Sequence, residues 1–256
     1  MEHILTTSIQ KAADRGRTAL IPFLTAGFPG RERFWTELEA LDKGGADIIE
    51  IGVPFSDPVA DGPVVEAASV KALENGVSLA WILDELKRRR GGFRAPLVLM
   101  GYYNPFLQYG LERFAEDAAR AGVAGCIVPD LPLDEDAALR AALEAHGMAL
   151  IPLIGVNTDG ERMRAYAQKA KGFAYLVSVL GTTGERSAFP PELDRAFRLA
   201  REIFSVPIAL GFGIARPEQV AAMPVRPRAV VFGSALLRHI EEGGNASGFM
   251  ERWADA

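Results

Sequence analysis

The chain has 256 residues, 49% hydrophobic and 24% charged, which suits a folded protein with a sizeable core in one large domain or two small ones. A net charge of −5 without a basic stripe argues against nucleic acid as a main ligand. Cys126 is the only cysteine, so no internal disulfide can form; the three histidines lack metal-ligand spacing, and no apolar run reaches membrane-spanning length. The expectation is a cytoplasmic protein with no metal site and no membrane or nucleic-acid partner.

Residues 3–15 are predicted helical, with Ile4, Leu5, Ile9 and Ala12 at helical spacing and Gly16 as the stop. Eight short apolar runs follow: 19–24, 47–51, 97–100, 125–128, 149–153, 173–177, 207–210 and 229–232. Amphipathic helical segments lie between them, near 31–43, 63–74, 79–90, 111–121, 135–146, 159–170, 191–204 and 216–223. Two more, at 234–242 and 248–254, close the chain. Continuous apolar runs suit parallel strands covered on both faces. Eight such units without a break in composition predict a single (β/α)8 TIM barrel over 1–256, with an extra N-terminal helix and a short helix ahead of the eighth. An open doubly wound sheet is the alternative, but no Gly-x-Gly-x-x-Gly follows the first strand.

Two connections, 52–62 and 178–190, are long. In a barrel both would lie at the C-terminal face, where active sites are built. The second is rich in glycine and hydroxyl groups, as befits a closing flap. The first follows a strand that contains Glu50, and Asp61 lies on it. A carboxylate in an apolar strand loses hydration, so it must be paired, protonated or functional. An internal ion pair accounts for a lone Glu50; the second carboxylate turns the balance toward acid/base chemistry.

Gly211-Phe212-Gly213 after the seventh strand and Gly233-Ser234 after the eighth occupy the places where barrels hold phosphate. Glycine lets backbone N–H groups approach an anion, and the helix expected from Ser234 adds favourable partial charge. Tyr102, Asp130 and Tyr175 near strand ends, with Phe23, Phe55, Met100 and Phe212, could wall a flat apolar ligand. Ordinary tight turns and ordinary core aromatics are the competing readings.

The run Ile49-Glu-Ile-Gly-Val-Pro-Phe-Ser-Asp-Pro-Val-Ala-Asp-Gly-Pro63 resembles the signature of the tryptophan synthase alpha subunit family. Pro22-Phe-Leu-Thr-Ala-Gly-Phe-Pro-Gly30, Met100-Gly-Tyr-Tyr-Asn-Pro105, Val128-Pro-Asp-Leu-Pro132 and Tyr175-Leu-Val-Ser-Val-Leu-Gly-Thr-Thr-Gly184 extend the likeness over nearly the whole chain. The resemblance implies a (β/α)8 lyase that cleaves indole-3-glycerol phosphate to indole and glyceraldehyde 3-phosphate. Glu50 then corresponds to the general acid/base and Asp61 to the carboxylate on the indole N–H. Phe23, Tyr102, Tyr175, Thr183 and Phe212 correspond to the substrate pocket, and Gly184, Gly213, Gly233 and Ser234 to the phosphate site. Pro54, Asp57, Asn104, Pro105 and Phe106 correspond to the surface that meets a beta subunit in an α2β2 assembly. That partner would carry pyridoxal phosphate, with no cofactor in this chain. A stand-alone lyase and a non-catalytic activating subunit are the other readings. The chain departs from the family pattern in lacking an arginine at Val179-Leu180 and in the segment Met223-Pro-Val-Arg-Pro-Arg228.

Overall fold

The structure, a computed structural model, describes residues 2–177, 191–211 and 213–253. Among the described residues there are nine strands, with helices between all but β5 and β6: β1 (Ala19–Thr25), β2 (Ile49–Gly52), β3 (Leu97–Met100), β4 (Val123–Ile127), β5 (Ala149–Leu150), β6 (Leu153–Gly155), β7 (Ala174–Val177), β8 (Ile208–Gly211) and β9 (Ala229–Phe232). Every pairing is parallel, and the order is β5-β4-β3-β2-β1-β9-β8-β7-β6. The two ends of that order are consecutive in the chain, separated only by Ile151 and Pro152. Ile151 N donates to Cys126 O at 2.9 Å on one side, and Pro152 O accepts from Tyr175 N at 2.9 Å on the other. The sheet therefore curls round into the (β/α)8 barrel.

The fifth strand, expected as one run over 149–153, is the point of difference. Pro152 has no N–H, so it gives β7 an acceptor but no donor, and the ladder breaks there into β5 and β6.

Side chains alternate along each strand. Ala19, Ile21, Ile48, Val98, Ile127 and Val231 belong to one buried cluster inside the ring. The same cluster includes Leu5, Ile9 and Ala12 from helix Ile4–Asp14. That helix therefore plugs the N-terminal end of the barrel, and the Thr6 hydroxyl donates to Gly172 O there at 2.6 Å. Asp47, which precedes β2, is held at this end by two hydrogen bonds from Arg17 (2.6 and 2.7 Å) and one from Leu20 N (2.9 Å). A separate, larger cluster joins the outer strand faces to the helices. With one end closed, ligand access falls to the C-terminal ends of the strands.

Between β3 and Leu111 the sequence reading contains no helix, yet the structure has one at Tyr103–Tyr109. Pro105 lies in its first turn, where a missing N–H costs nothing. Asp130 accepts from Tyr103 N at 2.9 Å, so this carboxylate caps the helix start.

Candidate active site

Glu50 sits in the middle of β2, paired with Phe23 of β1 and Val98 of β3. Two residues beyond inward-facing Ile48, it points into the barrel near its open end. It is 1% exposed, and neither carboxylate oxygen has a hydrogen-bond partner among the described residues. Burial, with the charge of Asp61 adding to it, raises its pKa to about 8. The ion-pair reading of a buried Glu50 therefore fails, and at neutral pH it is a proton-bearing acid.

Asp61 lies on the loop after β2, just before helix Pro63–Glu74. Burial raises its pKa to about 6, opposed by a hydrogen bond from Tyr102 and assisted by Glu66. Tyr102 is itself buried, its hydroxyl accepts from Ala60 N at 2.9 Å, and its ring stacks on Phe55 at 5.2 Å. One tyrosine thus ties the loop to the top of β3 and orients the carboxylate. Asp61, Tyr102, Phe23, Gly52 and Met100 line one cleft, with Val65 and Ser69 from the following helix. Neither Val65 nor Ser69 stands out in the sequence, where both read as ordinary helix positions.

Two glycines make room for Phe23. A Cβ at Gly52 would lie 2.5 Å from Phe23 Cζ, and one at Gly233 would lie 2.8 Å from Phe23 Cδ1. The Phe23 ring therefore packs directly on both backbones, bridging the end of β2 to the turn after β9. Gly211 is used the same way by Tyr175, whose ring occupies the space of the absent side chain. Tyr175 lies close enough to Glu50 for that carboxylate to help hold its phenol protonated, an effect second to burial.

Gly213 takes a left-handed φ of +58° after β8, and Gly233 is the N-cap of helix Ser234–Glu241. Ser234 therefore opens an eight-residue helix with its N-terminus at the open end of the barrel. Phe212, Thr183 and Gly184, with the rest of 178–190, lie outside the described residues.

The surface residues need correction. Asp57 and Asn104 are exposed and Pro105 is half-buried, but Pro54 and Phe106 are buried. Phe106 stacks on Phe114 at 4.4 Å, so its side chain faces the core and cannot meet a partner. The sequence placed it in a loop; as the fourth residue of a helix it turns inward.

Among the described residues there is no group of His, Cys, Asp or Glu suited to a metal ion, and no helix long and apolar enough to cross a membrane. The thiol of Cys126 is buried, which pushes its pKa up and leaves it a small apolar core group.

A model of the family described as "Tryptophan synthase alpha chain" matches residues 9–253. The tryptophan synthase alpha chain of Nitratidesulfovibrio vulgaris is 63% identical over 251 residues, covering 98% of both chains. A structure of Mycobacterium tuberculosis tryptophan synthase superposes with a TM-score of 0.90 at 33% identity, covering 98% of this chain and 97% of that one. A chain of the tryptophan synthase complex from Pyrococcus furiosus superposes with a TM-score of 0.81 at 34% identity, covering 91% and 94%. An acid and an oriented carboxylate at the open end of a plugged barrel agree with that kinship: this chain belongs to the tryptophan synthase alpha chain family and is a carbon–carbon lyase of tryptophan biosynthesis.

Proposed function

We propose that the chain cleaves indole-3-glycerol phosphate with Glu50 as general acid and base and Asp61 as the carboxylate that holds the indole N–H. The observation that carries this reading is the buried Glu50, its carboxylate without a partner among the described residues and its pKa raised by burial and by the charge of a second carboxylate, Asp61. Glu50 gives its proton to C3 of the indole ring, and the ring becomes an indolenine with positive charge at nitrogen. Asp61, ionised, stabilises that charge through the N–H. The Glu50 carboxylate then takes the proton of the glycerol hydroxyl beside the bond. The O–H electrons form the aldehyde C=O, the C–C pair returns to the ring, and indole and glyceraldehyde 3-phosphate separate.

Phe23, Tyr102, Tyr175 and Phe212 flank the indole and glycerol parts, and Thr183 closes over Asp61. The phosphate is held by backbone N–H groups of Gly184, Gly213, Gly233 and Ser234 with the Ser234 hydroxyl. The partner is a beta chain carrying pyridoxal phosphate, in an α2β2 assembly, and this chain needs no cofactor of its own. Support for a partner comes from the Pyrococcus furiosus neighbour, which is described as a complex.

The test is indole release from indole-3-glycerol phosphate, with and without a beta chain. Glu50→Gln keeps the shape but cannot shuttle a proton, so turnover should vanish while ligand affinity stays within about twofold. Substantial residual turnover removes Glu50 from the role. Asp61→Asn should reduce turnover strongly but less completely, because the amide oxygen still accepts from N–H.

A further inference from the structure

Buried polar side chains in folded proteins are nearly always hydrogen-bonded, so each exception asks for a reason. Among the described residues four buried side-chain atoms have no partner: Thr25 Oγ1, Glu50 Oε1, Glu50 Oε2 and Trp253 Nε1. Trp253 stacks on Phe232 within the outer cluster, away from the barrel interior. The other three atoms belong to adjacent strands. Glu50 pairs with Phe23, and Thr25, the last residue of β1, pairs with Gly52.

Alternation from Ala19 and Ile21 puts Phe23 and Thr25 on the inner face of β1, and alternation from Ile48 puts Glu50 and Gly52 on that of β2. Thr25 and Glu50 are therefore diagonal neighbours on one face, and such positions stand roughly 7–8 Å apart between backbones. Gly52, the residue beside Thr25, adds no side chain of its own. A glutamate has three rotatable bonds, enough to bring its carboxylate to the hydroxyl. Thr25 is 1% exposed, and the Phe23 ring packs over Gly52 beside it.

We propose that Thr25 is a positioning residue, whose hydroxyl donates to the Glu50 carboxylate after Glu50 has given up its proton. This inference rests on the acid/base role of Glu50. A neutral carboxyl gains little from the bond, whereas a newly ionised one, buried with no cation beside it among the described residues, requires a donor. Among the described residues the charge acting on Glu50 is that of Asp61 from the loop after β2, and Tyr175 from β7 is near enough to feel Glu50; neither supplies a positive charge. Thr25 would thus be left unpaired in the free chain and matched only within the reaction, the pattern expected of a group that binds the transition state better than the ground state.

The experiment compares Thr25→Val, Thr25→Ser and Glu50→Gln in the complex with a beta chain, following indole-3-glycerol phosphate cleavage across pH. In Thr25→Val, kcat should fall roughly 10- to 100-fold, the worth of a hydrogen bond to a charged group, with KM nearly unchanged. The alkaline limb of kcat should move to higher pH, because removing a donor disfavours the ionised form. Thr25→Ser should restore most of the rate. Thr25→Val should melt no lower than the parent, since the hydroxyl it deletes has no partner. A parental kcat and an unmoved limb in Thr25→Val overturn the proposal, as does a Thr25→Ser variant as slow as Thr25→Val. Turnover surviving in Glu50→Gln overturns the role of Glu50 itself; an inactive Glu50→Gln beside an unaffected Thr25→Val overturns only this inference.

Discussion

Burial and a neighbouring carboxylate push Glu50 in the same direction, while Asp61 feels burial against a hydrogen bond from Tyr102. Their pKa values, about 8 and about 6, leave Glu50 protonated and Asp61 ionised between those limits. Cleavage should therefore follow a bell: rising near pH 6 as Asp61 ionises, falling near pH 8 as Glu50 loses its proton. Rate–pH profiles check it, and Asp61→Asn should erase the acid limb. The same shift has a cost in stability. Glu50 goes from an ordinary value of 4.5 to about 8, so over that window the native chain holds a proton that the unfolded chain has released. Stability must fall as pH rises through the window. Glu50→Gln should melt higher than the parent by a margin that grows from acid to about pH 8 and then levels, measured by thermal unfolding at a series of pH values. A margin independent of pH would show that the carboxyl is not the source. Glu50 stood out because charge in an apolar strand breaks a pattern, and Asp61 because it is a second carboxylate on the loop that follows. Thr25 did not, since a β-branched residue ending an apolar strand looks like any other strand residue; only burial without a partner marks it.

Elements were read well wherever periodicity is undiluted. Helices Arg31–Lys43 and Pro63–Glu74 have the expected bounds, because Gly30 and Gly62 stand at their starts and Gly44 and Asn75 at their ends. Helix Tyr103–Tyr109 escaped because Pro105, Gly101 and Gly110 look like loop punctuation, although proline is at home in a first turn. The break between β5 and β6 escaped because a proline's missing N–H matters only once the neighbouring strand is known. Helix Ile4–Asp14 was legible as a helix, but its role as the barrel's plug was not, since the contacts that define it span the whole chain. That role can be measured. Ile9 is fully buried among inner-face residues, so Ile9→Ala should cost about 2–5 kcal/mol. Urea unfolding should show a lower midpoint at unchanged m. Indole release by the folded fraction should hold, because the plug lies at the opposite end from Glu50.

At the scale of the molecule, the two ends of the barrel carry different duties. The N-terminal end is sealed by Leu5, Ile9 and Ala12 and held by Arg17 and Asp47. The open end combines chemistry with two exposed apolar groups: Val59, 82% exposed, on the loop that carries Asp61, and Leu107, 49% exposed, on the helix that follows Tyr102. Tyr102 joins the two, through Ala60 N and the Asp61 carboxylate on one side and its place as the N-cap of that helix on the other. A partner seated on Leu107 would thus press on the helix whose first residue adjoins the group orienting Asp61. Leu107→Asp separates docking from chemistry, because the side chain points to solvent and is not part of the cleft that contains Asp61. The isolated variant should release indole at the parental rate, and its association with the beta chain, measured by titration of the complex, should weaken by about tenfold or more, as expected when a charge is buried at an apolar contact. Unchanged association would move the docking surface off this helix; a slower isolated chain would mean that Leu107 acts on Asp61 through Tyr102 without any partner.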